Sequence, residues 1–167
     1  WDFADLSQTE RYGIGEVFVA PTATVNFIDY LLNGNWVTNT AAIAYANNSA
    51  IAGGPNPELR TYLINAQVIP NTPLDRVTWK FGFTSSLDGS VANLGVNGQM
   101  VEVDGAIADL NGRILGHPAL GKVLVTVNLN QASPERGTVT LQAISGKIHR
   151  FAVGGRQYFV DDICMTP

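Results

Sequence analysis

Apolar and polar positions alternate with a period of two over long stretches of this chain. In Arg76-Val77-Thr78-Trp79-Lys80-Phe81-Gly82-Phe83-Thr84 every odd position is large and apolar, and every even one is polar or Gly. Successive side chains of a strand point to opposite faces, so the pattern predicts a strand with one face in a core and one in water. Residues 122–129 repeat it, with Val123, Val125, Val127 and Leu129 inward. Gly137-Thr138-Val139-Thr140-Leu141-Gln142 is a third case, and its Thr-Val alternation suits a pleated, half-buried surface. Two more strands are predicted at 147–153 and 157–163. The breaks at 132–137, Ser145-Gly146 and Gly154-Gly155 carry turn chemistry of hairpin length. Residues 122–163 therefore read as an antiparallel meander.

The first half is less regular. Short strands are predicted at 16–20 and 24–28 around Pro21, and a longer one at 59–69 between Pro57 and Pro70. The Ala-rich stretch 40–52 carries Asn47-Asn48-Ser49 and no capping signal, which makes it strand and loop. Between 85 and 121 stand the turn pairs Asp88-Gly89, Asn97-Gly98, Asp104-Gly105 and Asn111-Gly112. Strands spaced by about ten residues with turns between them predict an all-β fold, an antiparallel two-sheet β-sandwich of jelly-roll type. No linker or repeat divides the chain, so residues 1–167 read as one domain.

Composition narrows the function classes. With 167 residues, 46% hydrophobic, the chain can bury a core without a metal or disulfide to fold it. A net charge of −4 and three scattered lysines, Lys80, Lys122 and Lys147, argue against nucleic acid, which demands clustered Lys and Arg. No apolar run approaches the roughly 20 residues that span a bilayer, so no membrane insertion is expected. Asn occurs 14 times, as often as Asp and Glu together, and this amide-rich, Lys-poor balance favours a secreted or cell-surface setting. The start at Trp1 lacks a basic-then-apolar leader, which fits a processed chain or a segment of a longer one. The single Cys164 can form no internal disulfide, and no base can be placed beside it.

Candidate chemistry lies in three places. Leu31-Leu32-Asn33-Gly34-Asn35-Trp36 puts Trp36 beside a turn, with Asn33 and Asn35 as neighbours. An exposed indole can lie against the apolar face of a sugar ring while amides bond its hydroxyls, and Tyr30, with Tyr12, Tyr45 and Tyr62, can add to such a surface. The alternative is that Trp36 caps the edge of the core. Glu102-Val103-Asp104 places two carboxylates on one strand face, either a solvated face or, with His149, a glycosidase-like acid set. Residues 104–115 do not complete a calcium loop, since Leu115 stands where its twelfth-position Glu belongs. No phosphate loop, dinucleotide fingerprint or nucleophile elbow is present.

The third place is the run from Gly154 to Ile163, where Asp161 and Asp162 are adjacent on a predicted strand and one of them must lean inward. Aromatic-apolar-Asp-Asp-apolar after a Gly pair resembles the closing strand of secreted bacterial jelly-roll modules, both carbohydrate-binding modules and exported surface domains. Trp1-Asp2-Phe3-Ala4-Asp5-Leu6 similarly resembles their opening strand. The resemblance implies a structural calcium ion held by Asp161 or Asp162 with Asp2 or Asp5. Otherwise one Asp pairs with Arg150 or Arg156 and the other is solvated. Together these features point to a non-catalytic extracellular module that binds glycan or polysaccharide. The alternatives are a structural or adhesive surface domain without a small-ligand site, and a small secreted polysaccharide hydrolase or lyase using Glu102, Asp104 or His149.

Overall fold

The computed structural model describes residues 10–38, 43–47, 49–53, 57–85, 92–103 and 106–167. The fold is all-β, one large antiparallel sheet with a small two-stranded sheet beside it. Its strands are β1 (Val17–Val19), β2 (Ala23–Ile28), β3 (Tyr30–Leu32), β4 (Asn35–Val37), β5 (Ile43–Asn47), β6 (Glu58–Pro70) and β7 (Arg76–Phe83). They continue with β8 (Asn93–Val96), β9 (Gln99–Glu102), β10 (Ile114–His117), β11 (Gly121–Ala132), β12 (Glu135–Gly146) and β13 (Phe151–Thr166). Among the described residues the one helical turn is a 3-10 segment, Ile107–Leu110.

A central ribbon of the two longest strands, β6 and β13, organises the rest. On the outer edge of β6, β5 pairs with its first half and β2 with its second. On the outer edge of β13, β8 pairs with residues 151–154 and β7 with residues 158–166. The ribbon thus feeds two half-sheets, β1-β2-β6-β13-β8-β9 and β5-β6-β13-β7-β12-β11-β10. Between them both ribbon strands bend: Leu63 and Gln157 have left-handed φ of 53° and 59°, and the pairing slips on either side of Arg156. Such a bulge shifts the inward parity by one residue. In β13 the core receives Phe151 and Val153 before the bend, and Tyr158 and Val160 after it.

The alternating strands behave as their pattern predicts, save that Leu129, expected inward, is 39% exposed at the point where the pairing of β11 with β12 slips. Trp79, Phe81 and Phe83 are buried, as are Val123, Val125, Val139 and Leu141. Trp79 stacks on Phe151 at 5.6 Å and 13°, and Phe81 stacks on Tyr158, so rings from both half-sheets share one core. Val25, Phe27, Ala66, Val68, Leu94 and Val96 line the core side of the other half-sheet.

Two expectations change. Residues 147–153 and 157–163 are not two strands of a hairpin, because β13 runs straight through Gly154-Gly155. The glycines serve packing: a Cβ on Gly154 would lie 2.2 Å from Asn65 Oδ1 and 2.3 Å from the Ile64 carbonyl. Nor is 122–163 a meander, since β12 continues to β7 while β13 inserts between β6 and β7. Non-local pairing of this kind leaves no mark in the local pattern.

Candidate functional site

Two cross-strand rows on the face of β6-β13-β8-β9 that points away from the core build the site. Side chains directly opposite one another in antiparallel strands lie side by side, so register alone assembles them. The first row is Asn65, Gly154, Asn93 and Glu102. The second, one step along, is Gln67, Ala152, Gly95 and Met100.

The first row clamps the β3–β4 hairpin, which turns on Asn33-Gly34, both at positive φ. Asn65 Nδ2 donates to the Asp29 carbonyl at 2.7 Å. Asn93 accepts from the Leu31 N–H at 2.8 Å and donates to the Leu31 carbonyl at 2.9 Å, a side chain completing what a neighbouring strand would supply. Glu102 accepts the Asn33 and Gly34 N–H groups at 2.7 and 3.0 Å. A carboxylate that takes two turn amides satisfies donors that a tight turn leaves without partners. Tyr30 lies under the hairpin, fully buried, and its hydroxyl is pushed up strongly by burial, with the Glu102 carboxylate adding to the shift.

The second row is the floor of a groove of about 230 Å³. Gly95 and Ala152 keep it low: a Cβ on Gly95 would already meet the Ala152 Cβ at 3.0 Å. Trp36, 56% exposed, forms one wall from the clamped hairpin. The β8–β9 turn, Asn97-Gly98, forms the other with Gln99 and Arg150. Asn97 fixes that wall, donating to the Gly121 and Lys147 carbonyls at 3.1 and 2.9 Å and accepting from the His149 N–H at 2.8 Å. A larger hollow, lined by residues near Pro21, Pro70 and Cys164, presents no aromatic ring and no Asp, Glu, Lys or Arg side chain.

The structure therefore brings Trp36 to a groove but surrounds it differently from the sequence expectation. Asn33 and Asn35 are exposed on the hairpin and do not line the groove. Tyr30 is beneath the surface and supports the hairpin. Besides Asn97, the polar groups at the wall and floor are Gln67, Gln99 and Arg150, and they were missed because only strand register places them there. The available signal was the alternation Ile64-Asn65-Ala66-Gln67-Val68, which sets Asn65 and Gln67 on one outward face of β6.

The acidic residues are largely committed to the chain's own amides. Besides Glu102, buried Glu58 accepts the Ile51 and Ala52 N–H groups at 2.9 and 2.7 Å and the Ser49 hydroxyl. Glu135 accepts the Ile107 and Ala108 N–H groups at the start of the 3-10 turn. Of the terminal pair, Asp161 is buried, but next to core residue Val160 it lies on the face away from the core and does not lean toward the core as expected. Its Oδ1 accepts the Asp162 N–H at 2.7 Å while Oδ2 is buried without a hydrogen-bond partner. Burial raises its pKa to about 6, and the Asp162 and Glu58 carboxylates add to the rise. Asp162, at φ 50°, pairs with Lys80 at 2.6 Å, and neither Arg150 nor Arg156 is its partner. Asp2 and Asp5, the other expected calcium ligands, and Asp104 lie outside the described residues. Among the described residues no group of three or more His, Cys, Asp or Glu could hold a metal. His149 and Cys164 are exposed, and no described helix is long and apolar enough to cross a membrane.

Comparison with known protein families, curated proteins and solved structures finds no match to this chain.

Proposed function

We propose that this chain is a non-catalytic extracellular module that binds carbohydrate in the groove under Trp36. The observation that carries the reading is Trp36 itself: a large ring held out of the core by a hairpin with its own polar clamp, at the wall of a groove. A rigid, preorganised aromatic surface loses little entropy on binding, and the apolar faces of sugar rings stack on it. Gln67 offers an amide donor and acceptor to hydroxyls at the floor, and Gln99, whose Oε1 accepts the Gly116 N–H at 2.8 Å, offers its Nε2 N–H donors at the opposite wall. The amide-rich, Lys-poor composition supports a setting outside the cell. The kinked ribbon feeding two half-sheets supports a jelly-roll-like sandwich as the architecture.

Glu102 gives a hydrolase little to work with, since both its oxygens accept hairpin N–H groups. A second reading, an adhesive surface domain, is favoured by edge strand β1, where Val17 and Val19 are exposed at the end of the sheet.

The test is a saccharide and polysaccharide panel measured against the folded protein, once with calcium and once with chelator. Binding that disappears in Trp36→Ala, with the thermal midpoint unchanged, is the expected result. A blank panel in both buffers overturns the reading and leaves the adhesive one. Binding or a melting temperature that falls with chelator alone would support the structural calcium ion at the chain ends.

A further inference from the structure

We infer that the groove selects an anionic saccharide, one whose uronate carboxylate faces Arg150; this rests on the saccharide reading of the same groove. Arg150 and Trp36 line one groove, and the lining contains no Asp or Glu. The two ion pairs among the described residues are Lys80–Asp162 and Lys147–Asp75, and neither uses Arg150. The neighbouring acid, Glu102, is held by the hairpin amides. Arg150 is thus a guanidinium at a groove wall with no carboxylate of its own among the described residues.

Its placement is fixed from the main chain outward. The Asn97 N–H donates to the Arg150 carbonyl at 2.9 Å, so the residue is tied to the β8–β9 turn. The side chain then lies across Gly98, where an added Cβ would be 2.8 Å from Arg150 Nη2. Any larger residue at the turn would displace the guanidinium. A planar fork of five N–H donors matches a carboxylate in a two-bond arrangement that a neutral sugar cannot make. With Trp36 taking the ring face and Arg150 the charged substituent, the groove holds two orthogonal recognition elements for one sugar unit.

The experiment compares three probes by calorimetry at low and moderate salt: a uronate oligosaccharide, its methyl ester, and the neutral oligosaccharide of the same linkage. The ester keeps the shape and removes the charge. The acid is expected to bind at least about tenfold more tightly than its ester, with an advantage that shrinks as salt rises. Arg150→Gln should bring the acid down to about the level of the ester, with the loss on the acid at least severalfold larger than any loss on the ester. Arg150→Lys should retain only part of the preference, since it keeps the charge and loses the fork. Equal affinity for acid and ester overturns this inference while the saccharide reading stands, and an equal loss of both probes in Arg150→Gln does the same. If none of the three probes binds the wild-type protein, the inference falls, and the broad panel then decides the saccharide reading separately.

Discussion

The two ends of the β6–β13 ribbon solve the same problem with different success. At each, a chain segment lies on the sheet face that points away from the core and is held through its main-chain N–H groups by a carboxylate. On the β8–β9 side the segment is the Trp36 hairpin and the acid is Glu102, while Gly154 in the same row makes room for Asn65 and the Ile64 carbonyl of β6. On the β7 side it is loop 49–52, crossing Gly82, where a Cβ would lie 2.5 Å from the Ile51 carbonyl, and the acid is Glu58. The first clamp is a row of neutral amides ending in one half-buried carboxylate. The second sets buried Glu58 across the ribbon from buried Asp161, one step beyond the Leu59–Val160 pair, and leaves Asp161 Oδ2 without a partner. Each amide brings both donor and acceptor and carries no charge, whereas two carboxylates bring acceptors alone. Asn65 Oδ1 is also buried without a partner, so the contrast between the clamps is one of charge. The hairpin clamp presents a surface; the loop clamp stores an electrostatic penalty.

The largest effect is expected where backbone meets backbone. Gly154→Ala forces a Cβ to within 2.3 Å of the Ile64 carbonyl in the centre of the ribbon, which neither strand can relieve alone. Destabilisation of about 3 kcal/mol or loss of folding is expected, measured by chemical denaturation. The matching change Gly82→Ala meets the Ile51 carbonyl of a loop, which can lift, so its cost should be smaller. Equal costs would show that the loop is as rigid as the ribbon.

Glu58→Ala comes next. It removes the acceptor for two N–H groups and a hydroxyl at a buried site, for an expected loss of about 2–4 kcal/mol. Glu102→Ala, at the half-buried end of the other clamp, should cost about 1 kcal/mol globally. Its clearer signature is faster amide exchange at Asn33 and Gly34, together with a changed Trp36 fluorescence. If the two substitutions cost the same, the contrast between the clamps is wrong.

Much of this was legible before the structure, and the reasons for the remainder are physical. Strands β7, β11 and β12 follow a period of two, so their core faces could be named residue by residue except at Leu129, which β11 carries past the edge of the core where its pairing slips. Strand β13 could not be read, because the bend at Gln157 and the bulge at Asp162 each shift the inward parity, and the Gly pair imitates a turn. Trp36 was recognisable beside its Asn-Gly turn. Its groove partners Gln67 and Arg150 lie 31 and 114 positions further along the chain, brought there by register. The glutamates misled for a related reason: their partners are main-chain N–H groups, which every residue type carries and no sequence marks.

Asp161→Asn tests the stored penalty and should stabilise the protein. The folded-state pKa is about 6 against an ordinary 3.8, so between those values the folded chain binds more protons than the unfolded one. Stability therefore falls as pH rises through that window; the penalty is absent well below it and fully present above pH 6. The amide keeps an acceptor for the Asp162 N–H and turns a donor toward the acceptor-rich side. A gain of about 1–3 kcal/mol at pH 7, vanishing near pH 4, is expected in thermal melts. A gain that is independent of pH would mean that Asn packs better and that charge is not the cause.

The smallest effect should come from Lys80→Met, although Lys80 carries the shortest ion pair among the described residues, 2.6 Å to Asp162. The two side chains are 42% and 33% exposed, so water screens the pair and its direct contribution is expected below about 1 kcal/mol. Lys80 acts on the comparison through Asp161 instead, since its ammonium is the positive charge that opposes the upward shift of that buried acid. Removing it should move the apparent pKa of Asp161 higher and widen the pH window over which stability falls, while stability near pH 4 hardly changes. The double variant with Asp161→Asn should lose that extra pH dependence entirely, because the group that Lys80 moderates has gone. Additive behaviour of the two substitutions at pH 7 would place Lys80 with Asp162 alone and detach it from the buried acid.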